Sequence, residues 1–134
     1  MDFTQVVTLY TLVKSEDGST ALIRNKLSEV LYTTKTSTDV SNGVFVNKTV
    51  LKVSIPKTDM LRSLYVTPKE YSKLSIIDKA KVFTIDKDML VIKGDVVVKE
   101  YIVEEIKKNY EVYTVYGIDD YDVGELAHWN IYAS

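Results

Sequence analysis

A chain of 134 residues with 17 basic and 19 acidic side chains, one His and no Cys has room for one hydrophobic core and too little for two. The absence of Cys excludes disulfides and thiolate metal sites, and a net charge of −2 offers no general attraction to nucleic acid or anionic membranes. No apolar run approaches the ~20 residues that span a bilayer, and an N-terminus with Asp2 and no base before Lys14 does not read as a signal peptide. The expectation is a protein made in a cytoplasm, without membrane contact.

Val, Ile and Thr number 19, 10 and 13 against four Ala, and such β-branched side chains pack well on a pleated surface but lose rotamer freedom in a helix. The fold class expected is mainly β: a small antiparallel β-barrel or sandwich of about six to eight strands with one or two short helices. One domain, 1–134, carries an irregular insertion at about 56–81.

In chain order, Val6 to Val13 alternates and ends at the turn signal Asp17-Gly18, and Thr20 to Asn25 returns antiparallel to it. Leu27 to Thr36 reads as a third strand. An Asn42-Gly43 turn then opens a long strand, Val44 to Ile55, with Phe45, Leu51, Val53 and Ile55 on one face and Lys48, Lys52 and Ser54 on the other. Pro56 ends that ladder because it has no N–H to donate.

From Pro56 to Lys81 the periodicity fails, apart from one helical turn at Thr67-Pro68-Lys69-Glu70 with the capping-box arrangement. So long a stretch without regular structure is usually functional or mobile, and partners are expected here. Val82 to Lys99 holds the densest run of strand formers. Its two short apolar runs, Met89 to Ile92 and Val96 to Val98, predict two strands meeting near Gly94. Val103 to Tyr110 reads as a short helix, Glu111 to Ile118 as a strand with a bulge at Gly117, Asp119 to Glu125 as a turn-rich loop, and His128 to Tyr132 as the closing strand with Trp129 as its core anchor.

No Ser or Cys sits in a nucleophile motif that could work with His128, which reads as a strand residue. Asp120, Asp122 and Glu125 offer the clustered carboxylates that hard cations want, but the spacing does not complete an EF-hand and Asp-rich turns form for backbone reasons alone. No cofactor, no metal and no catalytic residue is expected. Ten Tyr are spread over many elements and only two Arg accompany them, which favours packing over base stacking.

Charge is uneven. Lys57, Arg62, Lys69, Lys73, Lys79 and Lys81 face Asp59, Glu70 and Asp78 within 56–81, whereas Glu111 to Glu125 holds Glu111, Asp119, Asp120, Asp122 and Glu125 and no base. The two segments can meet within one chain or between neighbours; a heterologous contact of the second kind closes into a ring when the rotation permits. The candidate partner contacts are Lys57, Arg62, Tyr65, Lys69, Tyr71, Lys73, Asp119, Asp120, Asp122 and Glu125.

The order of landmarks over residues 30–132 resembles small structural proteins from the head-tail gene region of tailed phages and prophages of Gram-positive bacteria, the minor capsid or head-tail connector proteins. The matching residues are Gly43, Ile55-Pro56, Tyr65-Val66-Thr67-Pro68-Lys69-Glu70-Tyr71, Phe83-Thr84-Ile85, Asp88, Val91-Ile92-Lys93-Gly94 and His128-Trp129. Asp119-Asp120-Tyr121-Asp122 stands where those proteins carry an Asn and basic residues.

The resemblance implies a non-enzymatic virion protein of the phage neck. It implies a homo-oligomeric ring, hexamer or dodecamer, between the portal or adaptor side and the tail or its terminator, with DNA in the channel. By that analogy, 56–81 or Thr36 to Gly43 is the segment that reorders on assembly. The alternatives are an OB-like barrel for single-stranded nucleic acid and a tail-completion or tail-terminator protein.

Overall fold

Where apolar side chains alternate, a strand buries one face and leaves the other in water, and six such strands organise the described residues. A computed structural model describes residues 4–14, 18, 20–98 and 102–134, and for Asp39, Ser41 and Glu125 the backbone alone. The strands are β1 (Gln5–Lys14), β2 (Thr20–Ser41), β3 (Val44–Pro56), β4 (Leu90–Lys93), β5 (Tyr113–Tyr121) and β6 (His128–Ala133). They pair antiparallel throughout and close in the order β1-β2-β3-β6-β5-β4 into a barrel. The mainly β class, the strand number and the antiparallel barrel agree with expectation.

The barrel interior is filled by the inward-facing positions of every strand. Val7, Leu9, Val30, Leu51, Val53, Ile55, Val91 and Ile131 are fully buried, and Phe83, Met89, Tyr113 and Trp129 close the same cluster. A smaller cluster, Tyr10, Leu90, Ile92 and Ile106, holds helix α4 (Val103–Asn109) against the outside of β1 and β4.

Several elements differ from the sequence reading. Thr20 to Asn25 and Leu27 to Thr36 are one strand, β2, whose first part pairs with β1 and whose second part pairs with β3. The switch is made at Glu29, which has φ +61, beside a register shift between Gln5 and Val7 on β1. A bulge of this kind bends the strand and changes which parity faces inward.

Among the described residues the α-helices number four rather than one or two, and the insertion carries three of them: α1 (Asp59–Leu64), α2 (Pro68–Ser72) and α3 (Ile76–Lys79). Each starts the same way, with Thr58, Thr67 or Ser75 accepting a hydrogen bond from the backbone N–H three residues on. A side-chain oxygen there satisfies one of the N–H groups a helix start leaves unpaired. The predicted turn at Thr67 is therefore present, and Thr58 and Ser75 start two more of the same kind.

Val96 to Val98 do not form a strand. They run beside β1 but bond to its side chains: Thr8 Oγ1 donates to the Gly94 carbonyl and accepts from Val96 N–H, and Tyr10 OH donates to the Val96 carbonyl and accepts from Val98 N–H. Gly94, at φ +87, makes the predicted turn.

Asp119, Asp120 and Tyr121 lie in β5, paired with Asn130, Trp129 and His128, so the loop begins only at Asp122; it contains a short 3-10 turn, Gly124–Leu126. The bulge expected at Gly117 is present, as the register shifts between Val115 and Gly117. Among the described residues no helix is long and apolar enough to cross a membrane.

Candidate functional site

Two regions concentrate exposed or charged groups. The first is where α1 passes the end of β5. Lys57 leaves β3 with its N–H bonded to the Ala127 carbonyl, which directs its side chain inward over Trp129, 4.9 Å from ring centre to Nζ. The Lys57 side chain is only 6% exposed, yet its ammonium pairs with the carboxylates of Asp120 and Asp122, the latter at 3.3 Å, and both acids reach solvent. Arg62, from the last turn of α1, adds a contact of 3.4 Å to Asp122. The basic and acidic segments thus meet within the chain.

Tyr65 completes this cluster from beneath. Its ring lies 4.8 Å from Trp129 and 5.6 Å from Phe83. Burial, with Asp120 next, holds the Tyr65 hydroxyl above the usual phenol range. Asp119 points the other way and accepts from Tyr132 OH at 3.0 Å.

The remaining candidates sit elsewhere. Lys69 and Lys73 are exposed on and just after α2, whereas Tyr71 is buried with Val13 and Ile23, with Lys79 Nζ 5.5 Å from its ring centre. The Glu125 side chain lies outside the described residues. Among those residues no three potential metal ligands converge; Asp120 and Asp122 face cations. His128 stacks on Tyr121 at 4.8 Å, and its Nδ1 lies 2.7 Å from the Leu126 carbonyl.

The second region is the distal β2–β3 hairpin. β3 pairs with β6 only from Leu51 onward, and β2 pairs with β1 only as far as Val30. Residues 36–49 therefore leave the barrel as a two-stranded arm, joined at its tip by Asn42-Gly43, both at positive φ (52° and 78°). That is the backbone a two-residue hairpin turn of primed type requires.

Along the face that continues the barrel interior, Thr36 Oγ1 bonds Thr49 Oγ1 at 3.2 Å and Thr38 Oγ1 donates to Asn47 Oδ1 at 2.8 Å. The tip is apolar. Val40, Val44, Phe45 and Val46 are 64%, 60%, 75% and 49% exposed. Phe45 shares its face with Leu51, Val53 and Ile55, as the alternation predicts, but has no opposing sheet and is exposed where the other three are buried. The signal in the sequence was four apolar residues around an Asn-Gly turn, which alternation alone assigns to a core.

The chain belongs to a family of unknown function (DUF6751), which matches residues 3–134. No curated protein and no solved structure gives a significant match. Membership therefore covers both regions, the arm and the Lys57 cluster, and the family's description attaches no activity to either.

Proposed function

We propose that this chain is a structural neck protein of a tailed phage or prophage, a head-closure or head-tail connector that acts in the virion by docking on other copies of itself and on portal-side or tail-side neighbours. The observation that carries the reading is the arm: a closed barrel has no free sheet edge, yet here two strands run on beyond it and end in four exposed apolar side chains. Exposed apolar groups gathered at one place mark protein contact sites. The order of landmarks from Gly43 to His128-Trp129 supplies the phage context. The Lys57 cluster is a brace within the subunit in this reading, and Lys69 on α2 and Lys73 just after it remain open for neighbours.

The test is composition of the particle. Mass spectrometry of purified virions or tails from an induced lysogen carrying the gene is expected to find this chain in stoichiometric amounts, and disruption of the gene is expected to leave heads and tails unjoined. Particles that join normally and lack the chain overturn the proposal.

A further inference from the structure

After α1 the chain makes an excursion whose two ends touch. Tyr65 and Phe83 form an isolated parallel bridge, with the Val66 N–H bonded to the Phe83 carbonyl and the Phe83 N–H to the Leu64 carbonyl, both at 3.0 Å. The Tyr65 and Phe83 rings pack on Trp129, which fixes the bridge to the core. Residues 67–81, carrying α2 and α3, are the loop that the bridge closes.

Little holds this loop against the barrel. Tyr71 is the one buried residue in it, and it packs with Val13 and Ile23 in a cluster separate from the barrel interior. Among the described residues, the hydrogen bonds of 67–81 stay within the loop. A strand reaches only its margin, where Asn25 Nδ2 donates to the Val82 carbonyl at 3.4 Å. Helices of five and four residues do not persist alone in water, so both depend on the Tyr71 contact.

The seam between loop and barrel is also imperfect. A hollow of about 320 Å³ runs along one side, lined from the loop by Tyr71 and Lys79 and from the barrel side by Thr11, Val13 and Thr84. A second, of about 210 Å³, has Asn25, Ala80 and Val82 in its lining. Five buried side-chain N or O atoms lack a hydrogen-bond partner among the described residues, and four of them belong to these two linings: Thr11 Oγ1, Asn25 Oδ1, Tyr71 OH and Thr84 Oγ1. Burial raises the pKa of the Tyr71 phenol and Thr11 beside it lowers it, yet the two hydroxyls form no bond of ordinary geometry. Native interiors leave few such groups, because each has lost its water without gaining a partner.

We infer that residues 67–81 are a lid, which lifts from the barrel and loses α2 and α3 in one step, hinged at the Tyr65–Phe83 bridge. Opening admits water to the four unpartnered groups, and that offsets part of the apolar burial lost at Tyr71. The barrel and α1 stay folded. α1 is outside the moving part because Leu61 lies in the barrel core and Arg62 is paired with Asp122.

The lid does not rest on the neck reading. What it adds is a second conformation of the free chain, in which the Thr11 to Val13 part of β1 is uncovered. A molecule that binds only that form shifts the population by its preference for it.

Hydrogen exchange of the full chain tests this. The amides of Tyr71, Leu74 and Ala80 are expected to exchange together, at least ~100-fold faster than those of β3 and β6, as a local opening does. Tyr71→Phe keeps the ring and removes the buried hydroxyl, so the lid amides are expected to slow at least ~3-fold. In Tyr71→Ala, which loses the anchor, they are expected to reach the unprotected rate while β3 and β6 remain protected. Because the chain has no Cys, Val13→Cys gives a second readout: its thiol, beneath Tyr71, is expected to react with a thiol reagent at a rate that Tyr71→Phe slows in the same proportion.

Faster exchange in Tyr71→Phe means that its hydroxyl is bonded when the lid is closed, and overturns the inference. Lid amides that exchange at the rate of β3 and β6, with Val13→Cys labelled only on global unfolding, also overturn it, since 67–81 then belong to the core. A Tyr71→Ala chain that unfolds throughout has the same meaning. Different rates for α2 and α3 remove the single step and with it the lid.

Discussion

The ammonium of Lys57 is held between the Trp129 ring, 4.9 Å from its centre, and the carboxylates of Asp120 and Asp122. A cation over an indole face gains from the ring quadrupole, and more so when water is excluded from one side. Because both acids remain in solvent, removing the lysine strands no buried charge, and the loss is confined to the contact itself.

Lys57→Met keeps the stem and deletes the charge, and should destabilise the fold by about 1–2 kcal/mol, combining a partly desolvated cation–π contact with exposed ion pairs. Urea denaturation measures this. In a double-mutant cycle with Asp120→Asn the coupling should be below ~1 kcal/mol and shrink with added salt. A Lys57→Met chain as stable as its parent removes the brace.

Trp129 is 3% exposed and touches Tyr65 and Phe83 at 4.8 and 5.9 Å between ring centres. Trp129→Ala should cost about 3–5 kcal/mol, as for other buried large aromatics. Its indole Nε1 is buried without a hydrogen-bond partner, so Trp129→Phe discards an unsatisfied donor and should cost clearly less. Equal costs for the two, read from urea midpoints at unchanged slope, count against the packing described.

The parts of the fold legible in the sequence are those where alternation and burial coincide. Leu51, Val53 and Ile55 on β3 and Trp129 and Ile131 on β6 alternate and are all buried. β2 was unreadable as one strand because the bulge moves its inward set from Ile23 and Leu27 to Val30 and Tyr32, and a change of parity looks like a strand end.

Asp119 and Asp120 disfavour strands locally, yet Tyr132 and Lys57 give their carboxylates partners, and tertiary context prevails. Val96 to Val98 show the converse: β-branched residues with strand propensity whose N–H and C=O groups are taken by Thr8 and Tyr10 side chains. The charged cluster was half visible, since composition located both segments but not their meeting. The arm was hidden, because a period of two says which face a residue is on and not whether anything covers that face.

The arm's turn yields a third prediction. A Cβ at Gly43 meets nothing within 4 Å, but the backbone sits at φ +78, so the cost of Gly43→Ala is conformational, ~1–2 kcal/mol. Because the arm stands outside the core, that cost should appear as faster hydrogen exchange in 36–49 with little change in global unfolding. Exchange that rises equally across β3 and β6 would tie the arm to the core.

Alkaline pH gives the fourth. Tyr113 OH donates to Glu111 Oε1 at 2.6 Å, and that hydrogen bond, with burial behind it, pushes the Tyr113 phenol up to about 12. Tyr132 is raised first by its bond to Asp119, and Tyr65 and Tyr71 first by burial. An unfolded tyrosine ionises near ~10. Above that pH the unfolded chain has released protons that the folded chain still holds, and stability falls as pH rises. Stability should therefore be flat with respect to these groups below pH ~9 and decline from ~10 toward 12, with some of the ten tyrosines titrating late at 295 nm. Tyr113→Phe should make the decline shallower by up to one proton, and Glu111→Gln should bring the late absorbance step earlier. Ten phenols ionising together near 10 with no loss of stability would mean that the Tyr113–Glu111 bond is not held in solution.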